Sequence, residues 1–428
     1  MIRLLTLLAL PFFAVLSAAP VARPNIVLII TDDQGYGDST GFWKTDLETP
    51  HLDAIGREGA RFTRFRVNPL CAPTRASVMT GLDSLASGMW RGPSEGPRSE
   101  ERTQAKAKKR AAKSAPRPAG DANADDDPES RIERRLAADL RLLPQFLKAA
   151  GYATGAFGKW HLGYEPANSP AARGFDSFTG FIGGAHPYWL RPNSRVVTNG
   201  APVPTGAHTT DLFADRAIEF IRAHRERPFF CYLAFNAVHG PLRNAERDAD
   251  SARPEWLAYY ERKGVPQPRR DYNAVMTHAD ARIGDVLRTL TELGLAENTL
   301  VICHSDNGGI LHSYPSYNGP LRGGKGQTYE GGIRVPLMVR GPGVRAGVYS
   351  NEPVVGYDLL PTILDLAVPG FSLPAGVEGG SWKSVLTTGG AATVKRLEFG
   401  IGTGDWDDTE VMPDAVSVTT TLVLQPKP

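Results

Sequence analysis

The stretch Asn25-Ile-Val-Leu-Ile-Ile30, followed at once by Asp32-Asp33, decides how the chain folds and where its chemistry gathers. An unbroken apolar, β-branched run reads as a strand buried on both faces, the habit of parallel sheets covered by helices. Similar runs return at Phe229-Phe-Cys-Tyr-Leu-Ala-Phe235 and Leu300-Val-Ile-Cys303. Between them lie helical patterns at Leu142 to Ala150, stopped by Gly151, at Thr210 to His224, and at Asp271 to Leu293, stopped by Gly294. The expectation is an α/β fold: a large, mostly parallel sheet flanked by helices. Such sheets bind ligands at the carboxyl ends of their strands.

Polar clusters sit at those ends. Asp32-Asp33 follows the first strand and Asp306-Asn307 follows Leu300–Ser305, so carboxylate and amide oxygens can converge. Taken singly, each pair also reads as a turn or a helix cap. Together they suit a hard cation, Ca²⁺ or Mg²⁺, rather than zinc. Lys159 and His161 follow a strand within Gly151-Tyr-Ala-Thr-Gly-Ala-Phe-Gly-Lys-Trp-His-Leu-Gly163 and share a side if that backbone is extended. His239 stands in Asn236-Ala-Val-His-Gly-Pro241, and Lys325 in the glycine-rich run Pro320 to Pro336.

The remaining element is Cys71-Ala72-Pro73-Thr74-Arg75. Pro73 suits a first helical turn and Gly81 a helix end, which places Cys71 just before a helix N-terminus, where the dipole favours an anion. A small buried cysteine is the plain reading of that segment alone. With Arg75, Lys159, Lys325 and two histidines around it, the cysteine belongs to an inventory suited to attack on a sulfate or phosphate ester.

Length and composition bound the rest. A chain of 428 residues can bury a large core and suggests one large α/β domain with a smaller one, or two domains. A net charge of +2, from 48 basic and 46 acidic residues, argues against a nucleic-acid binder. Arg3 and an apolar run from Leu4 to Leu16, closing in Ser17-Ala18-Ala19, match a cleaved export signal over residues 1–19. That run is short for a bilayer span, and a membrane anchor is the alternative. Three cysteines make no disulfide framework, and Cys231 and Cys303 lie in strand-like runs as core residues. Residues 91–135, with Lys106-Ala-Lys-Lys-Arg-Ala-Ala-Lys113 and Asp125-Asp-Asp127, read as a disordered charged insertion. Residues 396–428 form a short, weakly patterned C-terminal region in which only Ala415 to Leu424 resembles a strand.

These residues resemble the formylglycine-dependent (type I) sulfatases of the alkaline-phosphatase superfamily. Cys71-Ala-Pro-Thr-Arg75 matches the C-x-P-x-R signature and Gly151–Gly163 the second signature. Asp32-Asp33, Ser305-Asp-Asn-Gly308 and Gly324-Lys-Gly-Gln-Thr-Tyr-Glu-Gly-Gly332 also match, in the family's order, between about Pro24 and Leu386. The resemblance implies a catalytic domain over 24–395 that hydrolyses sulfate esters through a covalent sulfo-enzyme. It implies that a maturation enzyme converts Cys71 to formylglycine before folding. Asp32, Asp33, Asp306, Asn307 and the residue at 71 then hold one Ca²⁺, with Mg²⁺ the second choice. Arg75 steadies the hydrated aldehyde, Lys159, Lys325 and His239 bind sulfate oxygens and support the leaving group, and His161 helps eliminate sulfate.

The substrate implied is a sulfated saccharide or aryl sulfate, met outside the cytoplasm, with no nucleic acid and no stable membrane anchor. By that resemblance, the small C-terminal subdomain of the family is expected to be shortened or replaced after about Lys395. Two other functions fit the same residues: a phosphate or phosphonate ester hydrolase of the superfamily, and an inert sulfoglycan-binding protein. His186, Tyr188 and Trp189 are offered as cleft contacts, with packing as the equal reading.

Overall fold

A computed structural model describes residues 23–93, 136–240, 242–244, 249–311, 315–368, 370–388, 391–395 and 415–419. The stretch expected to direct export, nearly all of the expected charged insertion and most of the C-terminal region lie outside the described residues.

The strand Asn25–Thr31 is fully buried and central in a ten-stranded sheet. Parallel neighbours Thr299–Ser305 and Phe229–Ala234 flank it, followed outward on the second side by Ala153–Lys159 and Ser177–Phe181, also parallel. Antiparallel pairings, such as Leu337–Arg340 on Thr299–Ser305, extend both margins. The sheet is therefore mostly parallel at its core and mixed at its edges, and the expected architecture is present.

Alternation along the central strand explains its unbroken apolar run. Ile26, Leu28 and Ile30 enter one core with the helices Cys71–Thr80, Leu143–Ala149 and Leu359–Ala367. Val27 and Ile29 enter the other core with the helices Pro50–Arg57, Thr209–Ala223 and Arg269–Glu292. Each such side chain contributes about 1.5–3 kcal/mol on burial, so neither parity tolerates a polar residue.

Cys231 and Cys303 are free and buried. They pair with Val27 and Ile29 from opposite flanks of the central strand, which sets them about two strand spacings, roughly 10 Å, apart and beyond disulfide reach. Part of the C-terminal strand forms, Ala415–Thr419, and pairs antiparallel with Ala391–Lys395. Among the described residues no helix is long and apolar enough to cross a membrane.

Registers decide where the chemistry meets. Thr31 stands opposite Ser305, Ile30 opposite Ala234, and Gly158 opposite Ala234, so four parallel strands end level with one another. Gly158 makes that close approach feasible: at φ 115°, a Cβ there would lie 1.8 Å from the Ala234 carbonyl oxygen. The residues that follow these strands form one basin.

Candidate active site

Leu70 is extended and Cys71 opens the helix Cys71–Thr80, which ends at Gly81 with φ 70°. Cys71 is thus the first helical residue, one position inside the boundary expected. It is 5% exposed, and burial pushes its thiol pKa up, with Lys159 opposing and Asp306 and Asp32 reinforcing. The encoded thiol is protonated and poorly nucleophilic.

One turn on, Arg75 is fully buried. Its Nε and Nη2 donate to Asp306 Oδ2 at 3.0 and 2.8 Å, and its Nη1 to the Lys159 carbonyl at 3.0 Å and the Tyr232 hydroxyl at 3.3 Å. Lys159 Nζ donates to Asp32 Oδ2 at 2.7 Å, with both side chains fully buried. Burial opposes charge on both cations most strongly, but Tyr232 and then Asp306 beside Arg75, and Asp32 and then Cys71 beside Lys159, outweigh it and raise both pKa values. Asp32 is held below the usual carboxylate range: burial raises it, and Lys159 and His239 more than compensate.

Lys325 and His239 form a more open side. Their side chains are 13% and 20% exposed, against none for Arg75 and Lys159. Lys325 Nζ lies 2.6 Å from Asp33 Oδ1 and His239 Nε2 lies 3.8 Å from Asp33 Oδ2. The loop bearing Lys325 docks because Gly308 has no side chain: a Cβ there would sit 1.8 Å from the Gly331 carbonyl oxygen. His239 is positioned by its turn. The Asp32 N–H donates to the Ala237 carbonyl at 2.8 Å and the Val238 N–H to the Asp32 carbonyl at 2.7 Å.

His161 departs from the extended backbone expected. Its φ is 61°, a left-handed turn made directly after the buried Trp160, whose indole N–H donates to the Asn168 carbonyl at 2.7 Å. Burial, then the charges of Lys159 and Arg75, drives its pKa well below the ordinary histidine value. The ring is therefore held in its neutral form. Asp33 shares the left-handed conformation at φ 66°; strain of this kind concentrates at functional sites.

The oxygens not engaged by these cations are the most telling. Asp32 Oδ1, Asp33 Oδ2 and Asn307 Oδ1 are buried without a hydrogen-bond partner, although Asn307 Nδ2 donates to Asp33 Oδ1 at 2.7 Å. Ligand atoms of Asp32, Asp33 and Cys71 lie within 4.8 Å of one another. Orphaned buried oxygens are costly, and an all-oxygen donor set of this kind fits a hard divalent cation.

One supporting residue, Tyr232, escaped the sequence reading, and for another, Tyr188, the packing reading holds. Tyr232 touches Arg75; its signal was a hydroxyl inside an otherwise apolar strand, which must find a polar partner. Tyr188 is 2% exposed, and its hydroxyl lies 3.0 Å from the carbonyls of both Asn236 and His239. It therefore secures the His239 turn instead of lining a cleft. His186 and Trp189 are half-buried, the first tilted against Phe181 and the second edge-on to His208.

A second histidine and carboxylate group, His208, Asp211 and His278, also has ligand atoms within 4.8 Å. Its atoms are mostly engaged: His278 Nε2 and Asp211 Oδ1 are 2.8 Å apart, Arg253 Nε donates to Asp211 Oδ2 at 3.0 Å, and His208 Nε2 bonds the Ser251 carbonyl at 3.0 Å.

Known proteins resemble the chain over most of its length. The chain is 32% identical over 385 residues to the N-acetylgalactosamine-6-sulfatase of Rattus norvegicus, covering 85% of this chain and 66% of that protein. It is 32% identical to the arylsulfatase A of Homo sapiens, covering 83% and 66%. The chain therefore spans just under two thirds of the length of these relatives. The crystal structure of Ps i-CgsB in complex with k-i-k-neocarrahexaose superimposes with a TM-score of 0.71 at 29% identity, over 86% of this chain and 77% of that one. Residues 24–369 match the Sulfatase family, and with that match the chain belongs to the sulfatases of the alkaline-phosphatase superfamily.

Proposed function

We propose that the protein hydrolyses sulfate esters, on sulfated saccharides or aryl sulfates, with a nucleophile made from Cys71. The observation that carries this reading is the convergence of a buried, protonated Cys71 with three orphaned oxygens and a ring of cations. A protonated thiol is a poor nucleophile, so the site makes chemical sense when a maturation enzyme has replaced it by formylglycine. The hydrated aldehyde supplies one hydroxyl to attack sulfur and a second whose deprotonation expels sulfate, an exit that a serine lacks.

Asp32, Asp33, Asp306 and Asn307, with the residue at 71, would hold Ca²⁺, Mg²⁺ being the second choice. The cation supplies positive charge to the sulfate oxygens. Arg75, locked by Asp306, faces the residue one turn before it and steadies developing charge there. Lys159, Lys325 and His239 bind the remaining sulfate oxygens, and the more open pair, Lys325 and His239, stands where the alcohol leaves. His161, neutral, takes the proton of the second hydroxyl. The saccharide class draws on the named relatives, one a sugar 6-sulfatase and another solved with a neocarrahexaose. Residues 24–395 form the catalytic domain in this reading, and residues 1–19 direct export.

Replacing Cys71 by Ala tests it. With a maturation enzyme co-expressed, aryl-sulfate turnover should fall by about 10⁵-fold or more, and the peptide bearing residue 71 should weigh as aldehyde or hydrate in the parent. Unchanged turnover in Cys71→Ala refutes the nucleophile, and preference for a matched aryl phosphate refutes the sulfate assignment.

A further inference from the structure

Lys325 belongs to a loop closed at its base, where the Gly331 N–H donates to the Arg322 carbonyl at 2.7 Å. The loop is held against the approach to Cys71, the Gly326 N–H donating to the Pro69 carbonyl at 2.8 Å. Lys325 turns inward to Asp33, while Arg322, Gln327, Thr328 and Tyr329 are exposed. The Arg322 guanidinium carbon stands 4.0 Å from the centroid of the Tyr329 ring, a residue 47% exposed.

Neighbouring arginines are already engaged. Arg66 and Arg334 both pair with Glu330, at 2.9 and 3.4 Å, and Arg334 also donates to the Thr63 carbonyl. Arg322 forms no ion pair with a carboxylate among the described residues. A guanidinium laid on an aromatic face is attracted by the ring's quadrupole and held in one plane. Its edge N–H groups then remain for a planar, bidentate grip on an oxyanion. Three residues of chain span at most about 11 Å between Cα atoms, so Arg322 is borne on the same short loop as Lys325.

We propose that Arg322, held flat by Tyr329, forms a subsite for a second sulfate, carried on the sugar next to the one that reacts. The protein is then selective for multiply sulfated saccharides, an inference that rests on the sulfate-ester reading above. The subsite is built for charge and not for a particular sugar.

Calorimetric binding to the Cys71→Ala protein, which removes turnover, tests it with neocarrabiose carrying one sulfate or two. The disulfated sugar should bind more tightly, and adding Arg322→Gln should cut its affinity about tenfold while narrowing the gap between the two sugars. Tyr329→Ala should give part of that loss and Tyr329→Phe almost none, since both residues are exposed and neither variant threatens the fold. Equal losses for both sugars, no loss for either, or no binding of the disulfated sugar by the Cys71→Ala protein overturns the subsite. Because binding is read without turnover, failure here is distinct from failure of sulfate-ester hydrolysis, which shows as absent turnover by the aldehyde-bearing parent.

Discussion

Two regions of this molecule gather histidines, carboxylates and arginines tightly enough to hold a metal, and they differ in what is left over. In the cluster of His208, Asp211 and His278, both carboxylate oxygens of Asp211 already have partners and both ring nitrogens of His208 are used, one accepting from the Thr210 N–H at 3.3 Å. At the strand ends, Asp32, Asp33 and Asn307 each keep one buried oxygen without a partner. Residue types alone do not separate a structural network from a ligand site; unsatisfied valence does. The first region spends nearly all its polar groups on the fold, His278 Nδ1 alone of the three side chains' ligand atoms keeping no partner, whereas the second leaves three oxygens from three residues open.

The largest expected effect comes from damaging the reserved oxygens. Asp33→Asn should lower aryl-sulfate kcat/KM by about 10³-fold and abolish the rise in Tm that added Ca²⁺ gives the parent, a rise equivalent to about 2.7 kcal/mol at a hundred times Kd. Asp211→Asn should retain that Ca²⁺ response in full. A Ca²⁺ response lost in Asp211→Asn and kept in Asp33→Asn would reverse the assignment of the two regions.

Next in size, Asp211→Asn should cost about 3 kcal/mol of stability in denaturant titration, because Arg253 and His278 lose their shared carboxylate in a partly buried setting. Activity per folded molecule should stay within about twofold, surface-distant substitutions being nearly neutral for a site they do not touch. A loss of turnover without a loss of stability would break the comparison from the other side.

The last effect, negligible at neutral pH and growing only in acid, is one of slope. Burial, then the adjacent His278, lowers the pKa of His208 to about 4 from the usual 6.5. Between those values the unfolded chain binds a proton that the folded chain refuses, so stability is full above pH 6.5 and falls as pH drops toward 4, by up to about 3 kcal/mol. His208→Gln should flatten the pH dependence of Tm across that window. An unchanged slope would show that other groups carry the acid sensitivity.

Much of this was legible beforehand, because strand-end position is a property of sequence. The helices expected near 142–150, 210–224 and 271–293 stand at Leu143–Ala149, Thr209–Ala223 and Arg269–Glu292. Asp32, Asp33, Asp306 and Asn307 converge because each pair follows a buried run, and those runs are neighbours in register. What escaped was whatever depends on a single dihedral or a distant partner. The turn at His161 follows from φ 61° and not from any residue pattern. Tyr188 stood equally as a cleft or a packing aromatic because only the fold puts the carbonyls of Asn236 and His239 within reach of its hydroxyl. The grip of Tyr232 on Arg75 likewise joins residues 157 positions apart.

The pairing of Arg75 with Asp306 also sets a clock. The two residues are separated by 231 positions, and at about 5–20 residues per second of synthesis the strand that seals the basin emerges roughly 12–46 s after the cysteine. Whatever chemistry reaches Cys71 from outside has that interval in which to act on an open chain. Once Thr299–Ser305 has paired with Asn25–Thr31, the residue at 71 is walled in, and a late catalyst finds only a finished fold. On the formylglycine reading proposed above, slow pairing of Thr299–Ser305 is then an advantage, and variants that fold faster should emerge with less formylglycine at position 71.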